Sequence, residues 1–499
     1  MKKNYLLLLL IPLTLSACSR NNKESETTTS ESTIISETSS TESEESSLPS
    51  EESEEIISEN TSEEIIDYDE VAKEGDIAYN LAFESLLVKD ENNERITIRY
   101  TVHYNDNFFS KKGSELNLDM AVVAFALETK CFTKEEVQDI VPVFGFKDIV
   151  YSTDYDDEET KDSMLFYMAN KTIGEDNVML LSMSSFNYSK PWMSNFEIGV
   201  EGDAEGFARC SNMLVKQIKD YKESHNINKI WINGYSRSAG VCSLAAHYLL
   251  EEEVFDEDNL YGYFFDAPNI LDVNNYREHP SIHNLINNYS VITHFAPASY
   301  GLRRPGHDID IVTNGMDDAF KYFSNGISLP TFTPNNFYQN EEELINWMLD
   351  QLTKVSVDSN NVPYEKNMAT REKYSLYYQE SIGYILSVFF VLKDSTQDEI
   401  GNKFLNESIS LLANITNEDA LYDFISPILD KNDEKYDEEL LKASLNNLTE
   451  FALRTLDATF MLNLASETSR NSFLRTIYFH TTEGYFPALI EYRRQTQNN

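Results

Sequence analysis

The segment Gly234-Tyr235-Ser236-Arg237-Ser238-Ala239-Gly240 has the residue types and spacing to carry out nucleophilic chemistry. A serine hydroxyl attacks only when a base removes its proton, and a sharp strand-to-helix turn is one way to present it. Such a turn is tight enough that the residues two places on either side must be small. Gly234 meets this before the serine, and Ser238, which is small but carries a Cβ, stands after it. Lys229 to Asn233 reads as an apolar strand running into Gly234, and Gly240 to Leu250 as a helix of small and apolar residues. In that setting Ser236 Oγ would stand above a sheet, at a helix N-terminus whose dipole favours a developing anion. A serine N-cap on an ordinary strand-turn-helix has a similar local pattern. The strand before and the helix after favour the nucleophile.

The elements needed to position such a residue can be read along the chain. Strand-like runs lie between Ala78 and Tyr104, and Leu116 to Thr129 is helical in pattern. Thr133-Lys134-Glu135-Glu136 opens another helix as a capping box, followed by a turn at Gly145. Ser163 to Asn170 and Asn177 to Met183 read as strands, and Glu205 to His225 as a long amphipathic helix. Leu260 to Phe265 is a strand ending at Asp266, and His283 to Asn287 reads as one more. This alternation predicts an α/β fold with a largely parallel sheet. Beyond Asn335 the pattern turns helical and acidic, with long segments at Glu341 to Val355 and Glu439 to Met461. A return to the core is expected near Ile477 to Tyr492. The partition is therefore a core over 68–334, a helical insertion or cap over 335–465, and a C-terminal core segment over 466–499.

Several of these segments together resemble the class 3 lipase-like α/β-hydrolases of Gram-positive bacteria. Phe144-Gly145-Phe146-Lys147-Asp148-Ile149 is similar to that family's upstream aromatic turn. Ser185-Phe186-Asn187-Tyr188, followed by Trp192-Met193-Ser194-Asn195-Phe196, resembles its oxyanion-loop region. Glu205-Gly206-Phe207 resembles its His-x-Gly-Phe segment, and Phe265-Asp266-Ala267-Pro268-Asn269 the strand end after the elbow helix. The resemblance covers about Leu116 to Glu491 and is weakest in the insertion. It implies an α/β-hydrolase-like, mostly parallel sheet with a large helical insertion. It also implies ester hydrolysis by a Ser-Asp-His triad in that chain order.

The base must then follow Ser236. The choices are His247, His279, His283, His294, His307 and His480. His480, a few residues before Tyr485, resembles the family's terminal histidine and is preferred, with His307 second. For the acid, the family's Asp position here holds Ser290, which cannot carry the charge that stabilises an imidazolium. Three outcomes stay open: Asp266 at the preceding strand end, Asp308 or Asp310, or no acid at all. The oxyanion hole would use the backbone amides of Arg237 and of a residue near Phe186. Ala204 stands where the family has its histidine, and Ser184-Ser185-Phe186 where it often has Arg-Gly-Ser/Thr. The first reading is a lipase- or esterase-like serine hydrolase with an ester or lipid substrate. The second is a catalytically impaired hydrolase-fold lipoprotein with a binding role, and the third a peptidase or thioesterase on the same fold.

Composition narrows the classes further. The chain has 499 residues with a net charge of −44, which argues against a nucleic-acid partner and against electrostatic docking on anionic lipid. Lys2 and Lys3, the apolar run Leu6 to Leu15, and Leu15-Ser16-Ala17-Cys18 resemble the signal peptide and lipobox of bacterial lipoproteins. That resemblance implies removal of 1–17 and acylation of Cys18, with palmitate-like chains anchoring the protein at the extracellular face of the cell membrane. The Ser/Thr/Glu-rich stretch from Cys18 to Asp67 lacks the apolar content to offset chain ordering, so it reads as a disordered tether. Ile382 to Leu392 is too short to cross a bilayer and reads as a buried helix. Cys131, Cys210 and Cys242 read as small buried hydrophobes. The acidic runs Asp154 to Glu159 and Glu251 to Asp258 read as solvated loops. No metal spacing or cofactor fingerprint is visible.

Overall fold

Three runs, Lys229–Tyr235, Leu260–Phe265 and Ile282–Ile286, are buried along nearly their whole length, as strands covered on both faces must be. They form the centre of a seven-stranded sheet in the computed structural model. The structure describes residues 68, 72–89, 94–157, 160–185, 191–334, 338–353, 370–377, 437–445 and 475–498, with isolated positions at 379, 422, 423, 426 and 472. The segments assigned to a signal peptide, a lipidated Cys18 and a tether lie outside the described residues, as do Ile382 to Leu392 and most of the insertion.

In chain order the strands are β1 (Ile77–Lys89), β2 (Arg95–Tyr104), β3 (Lys147–Tyr151), β4 (Leu165–Ile173), β5 (Asp176–Ser184), β6 (Lys229–Tyr235), β7 (Leu260–Phe265), β8 (Leu271–Asp272), β9 (Ile282–Ile286), β10 (Leu302–Arg303) and β11 (His307–Asp310). The main sheet runs β11-β9-β7-β6-β5-β4-β3. From β5 to β11 neighbouring strands are parallel, and β4 and β3 add an antiparallel edge. The sheet is thus mixed but mostly parallel, α/β-hydrolase-like in layout. β1 and β2 form a separate antiparallel hairpin.

The main helices are α1 (Leu118–Lys130), α2 (Lys134–Ile140), α3 (Glu205–His225), α4 (Arg237–Glu251), α5 (Met316–Phe323), α6 (Glu341–Thr353), α7 (Arg371–Tyr377) and α8 (Thr482–Asn498). The capping box read at Thr133 and Glu136 is formed at the start of α2. Gly145 takes a left-handed φ of 83° and ends the following helical turn. Alternation along the central strands separates two cores. Ile230, Ile232 and Phe264 pack with Leu214 of α3 and Leu244 of α4. On the other face Phe125 of α1 meets Tyr235, Phe265 and Tyr485, with ring centroids 5.4, 5.1 and 4.9 Å away.

Two strands of the main sheet were not anticipated. β3 and β11 lie at the sheet edges, are short, and keep much of their length in solvent, so neither carries an apolar signature. The described parts of the insertion are helical: α6, α7 and residues 438–445. Among the described residues no helix is long and apolar enough to cross a membrane. Cys131, Cys210 and Cys242 are buried free thiols.

Candidate active site

The parallel strands end in register. Met183 pairs with Gly234, Tyr235 with Phe265, Phe265 with Leu285, and Ile286 with Asp310. Residues just past these ends therefore share one edge, the carboxyl edge where open α/β sheets place their sites. Ser236 follows β6, Asp266 follows β7, and the loop to Ser290 follows β9.

Ser236 is the hinge between β6 and α4. Its φ of 58° and ψ of −120° are a conformation non-glycine residues rarely hold, and the turn is closed at both ends. The Ser236 amide donates to Phe265 O at 2.9 Å, and the Gly240 amide donates to Ser236 O at 3.1 Å. Gly234 must lack a side chain, because a Cβ there would lie 2.5 Å from the backbone carbonyl of Ser238. Asp266 also takes a positive φ, 50°, which an aspartate tolerates, and this turns its carboxylate across the strand ends.

His480 arrives from 244 residues further along the chain, on the turn before α8. Its Nε2 is 2.9 Å from Ser236 Oγ, and its Nδ1 is 3.1 Å from Asp266 Oδ2 and 3.0 Å from Ser290 Oγ. An imidazole nitrogen facing a carboxylate carries the proton. This leaves Nε2 as acceptor for the serine hydroxyl. Asp266 Oδ1 in turn accepts the Asn287 amide at 2.8 Å. Burial pushes the Asp266 carboxyl above its ordinary value, while His480, the Asn287 amide and the Ser290 hydroxyl favour the charged form. All three residues are buried, and Ser236, at 4% exposure, is the most accessible of them. Tyr235, next to the serine, holds the imidazole from a second side. Its ring stacks on the imidazole with centroids 5.3 Å apart, and its hydroxyl donates to His480 O. The Tyr485 hydroxyl donates to Leu285 O at 2.7 Å, pinning α8 to the end of β9.

The alternatives lie elsewhere. Asp308 is in β11, exposed, and paired with Arg304 at 2.7 Å. Asp310 accepts from Asn288 at 2.7 Å. Neither is brought to His480. His307 faces His283 across 3.3 Å, and His283 reaches Gly113 O at 2.9 Å. His294 reaches Asn288 O at 2.9 Å, and His247 packs on His279 with centroids 5.0 Å apart.

Arg237 opens α4, so its amide stands beside Ser236 at the helix N-terminus. Its guanidinium turns away and is buried, donating to Asn195 Oδ1 and, at 3.3 Å, to Cys210 Sγ. Phe186 lies outside the described residues. Ser290 and Tyr235 are the two site residues whose roles the sequence did not reveal. Ser290 was noted for the charge it lacks, not for the hydroxyl it offers. Tyr235 could have been suspected only from its place beside the serine. Among the described residues no group of three or more His, Cys, Asp or Glu is arranged to hold a metal ion.

An α/β-hydrolase-like fold with serine, histidine and aspartate joined at the carboxyl edge of its sheet is the class this geometry defines. No family model and no curated protein matches the chain. Among solved structures it is similar to a fungal lipase in complex with an inhibitor, at 14% identity and TM-score 0.31, over 42% of this chain and 81% of that one. It is also similar to a triacylglyceride lipase of Rhizomucor miehei, at 15% identity and TM-score 0.28, over 42% and 81%. Lipase II of Rhizopus niveus is similar at 14% identity and TM-score 0.27, over 41% and 79%. These likenesses are distant, and the reading of the site stands on its own geometry.

Proposed function

We propose that the protein is a serine ester hydrolase of lipase or esterase type, tethered to the outer face of the cell membrane through an acylated Cys18. The observation that carries the catalytic part is the His480 bridge, with one ring nitrogen on Ser236 Oγ and the other on Asp266. In the reaction Ser236 Oγ attacks the ester carbonyl while His480 Nε2 takes its proton. Asp266 and Ser290 hold the Nδ1–H, and the carboxylate stabilises the imidazolium. The Arg237 amide faces the oxyanion at the start of α4, where the helix dipole adds to the donor. His480 then gives its proton to the departing alkoxide, which leaves as the alcohol. Water deprotonated by the same nitrogen releases the acid and restores Ser236.

The anchoring part rests on the lipobox-like Leu15-Ser16-Ala17-Cys18 and on the tether composition of 18–67. Turnover of p-nitrophenyl esters of graded chain length tests the catalytic part. The wild-type protein should hydrolyse at least one, and Ser236→Ala should reduce that rate to background. A folded wild-type protein inert on the whole panel would favour the impaired, binding lipoprotein instead. Metabolic labelling with a palmitate analogue tests the anchor, and the label should vanish in Cys18→Ala.

A further inference from the structure

Beneath the nucleophile turn lies a second polar cluster that the reaction scheme does not use. Its centre is Glu128, near the end of α1. Helix α1 is buried over Leu118 and Met120 to Thr129, so this carboxyl is the one acidic group in that run. Glu128 is 1% exposed. A buried carboxyl in an otherwise apolar helix is expensive unless its hydrogen bonds are met. Here they are met by the elbow and the neighbouring strand end. Ser182 Oγ donates to Oε1, and Ser238 Oγ lies 3.4 Å from Oε2. The amides of Met183 and Tyr235 also point at the carboxyl.

Ser238 is the hub. Its hydroxyl accepts the Tyr235 amide at 2.8 Å, and its own amide donates to Ser185 Oγ at 2.7 Å. The Ser185 and Ser238 hydroxyls are 2.8 Å apart, and Ser185 also donates to Tyr235 O. The cluster therefore joins the residues one before and two after Ser236 to the first residue past β5 and to α1. Ser185 opens the loop from which the second oxyanion donor was expected. A glycine two places after the nucleophile would satisfy the sterics of the turn. It would keep the amide bond to Ser185 but supply none of the bonds made by the Ser238 hydroxyl.

We propose that Glu128, Ser182, Ser185 and Ser238 form a positioning cluster that fixes the nucleophile turn and the start of the oxyanion loop relative to each other. This rests on the hydrolase reading above. None of the four is a catalytic residue. They act through the backbone of Tyr235 and Ser238, which sets where Ser236 Oγ and the Arg237 amide point. A hydroxyl cluster around a neutral carboxyl can satisfy every lone pair, and burial pushes Glu128 up to about 8 against the opposing hydrogen bonds. The titratable groups that face it are Cys131 beyond α1, Tyr155, Tyr167 of β4 and Cys242 of α4. Burial raises all four, so they stay uncharged through neutral pH. Loss of the Glu128 proton would set a negative charge behind the turn that must support an oxyanion.

The test uses the full-length protein and the rate of fluorophosphonate labelling as a function of pH. Ser238→Ala and Glu128→Ala should label about tenfold or more slowly than wild type, while Glu128→Gln, which keeps the shape and one donor, should stay within about threefold. The wild-type rate should fall above about pH 8, and Glu128→Gln should lose that alkaline fall. A mere packing role would leave the pH profile unmoved. Ser238→Ala removes a single oxygen, so it reports even if Glu128→Ala does not fold. Wild-type labelling at normal speed in both Ser238→Ala and Glu128→Gln, with the alkaline fall still present in the latter, would overturn the cluster and leave the hydrolase reading intact. A folded wild type that never labels would overturn both.

Discussion

The same three kinds of side chain, serine, histidine and carboxylate, meet at both ends of the central sheet, joined in different orders. At the carboxyl edge the imidazole is the middle member, with Ser236 on one nitrogen and Asp266 on the other. At the amino edge the carboxylate is the middle member. Glu257, in the loop before β7, takes His279 Nδ1 at 2.7 Å on one oxygen and the Ser281 hydroxyl on the other. A serine that donates to a carboxylate already has a satisfied proton and no route to an imidazole. A serine that donates to an imidazole has a base whose charge a second partner can stabilise. On the proposed reading, connectivity, more than residue type or burial, separates a nucleophile from a structural brace.

The backbone draws the same distinction. Ser236 stands on a positive-φ turn between a strand and a helix N-terminus, whereas Ser281 simply precedes β9, and its amide also donates to Glu257, at 3.1 Å. The first arrangement holds strain that a purely structural serine has no reason to hold.

Substitutions that remove the acid from each cluster should break this symmetry most sharply. Asp266→Asn should lower ester turnover on the order of 10³- to 10⁴-fold, since the amide can hold the wrong tautomer and cannot stabilise the imidazolium. Glu257→Gln should leave turnover unchanged and lower stability by about 1 kcal/mol through weakened hydrogen bonds, read by chemical denaturation. A turnover loss in Glu257→Gln to match that of Asp266→Asn would remove the distinction.

A smaller effect is expected at Ser290. Ser290→Ala removes the second acceptor of the imidazole proton, worth ~1 kcal/mol or about fivefold in rate. Steady-state kinetics should show that loss in kcat with KM little changed.

The smallest effects concern stability against pH, and the carboxyls of buried Glu128 and half-buried Glu257 should slope in opposite directions. Burial raises Glu128 from 4.5 to about 8, so the folded chain keeps a proton that the unfolded chain has released. Its contribution is complete below about 4.5 and is lost as pH rises through about 8. Burial also pushes Glu257 up, but the bonds from His279 and Ser281 outweigh it and hold the carboxyl below its ordinary value. That contribution is present above the ordinary value and is lost as pH falls through the depressed one. Denaturation midpoints for Glu128→Gln and Glu257→Gln across the pH range should each lose one of these slopes.

Much of the carboxyl-edge cluster was legible in sequence because its first part is local. A strand, a glycine, the serine, a small residue and a helix fall within one short stretch, and Asp266 ends the next strand. The length of α3, Glu205–His225, and the limits of β7, Leu260–Phe265, also read directly, since each has clear periodicity or a clean apolar run. Which acid meets His480 stayed open among Asp266, Asp308, Asp310 and none, because that depends on how the strand ends and α8 meet in space. Ser290 illustrates this: its type excluded a charged role, and only its position reveals a hydroxyl on the imidazole. Glu128 left a fainter trace, a carboxyl directly after the apolar run from Met120 to Leu127 of α1. β11 offered His307, Asp308 and Asp310 as candidates because an exposed edge strand resembles a polar loop.

The central claim, that Ser236 alone is activated, is tested most directly by mapping the covalent adduct. The full-length protein would be treated with a fluorophosphonate and its serine peptides identified by mass spectrometry, alongside Ser236→Ala and Ser281→Ala. The expected result is one adduct, on Ser236, unchanged in Ser281→Ala and absent in Ser236→Ala. An adduct on Ser281, or none on a folded protein, would contradict it.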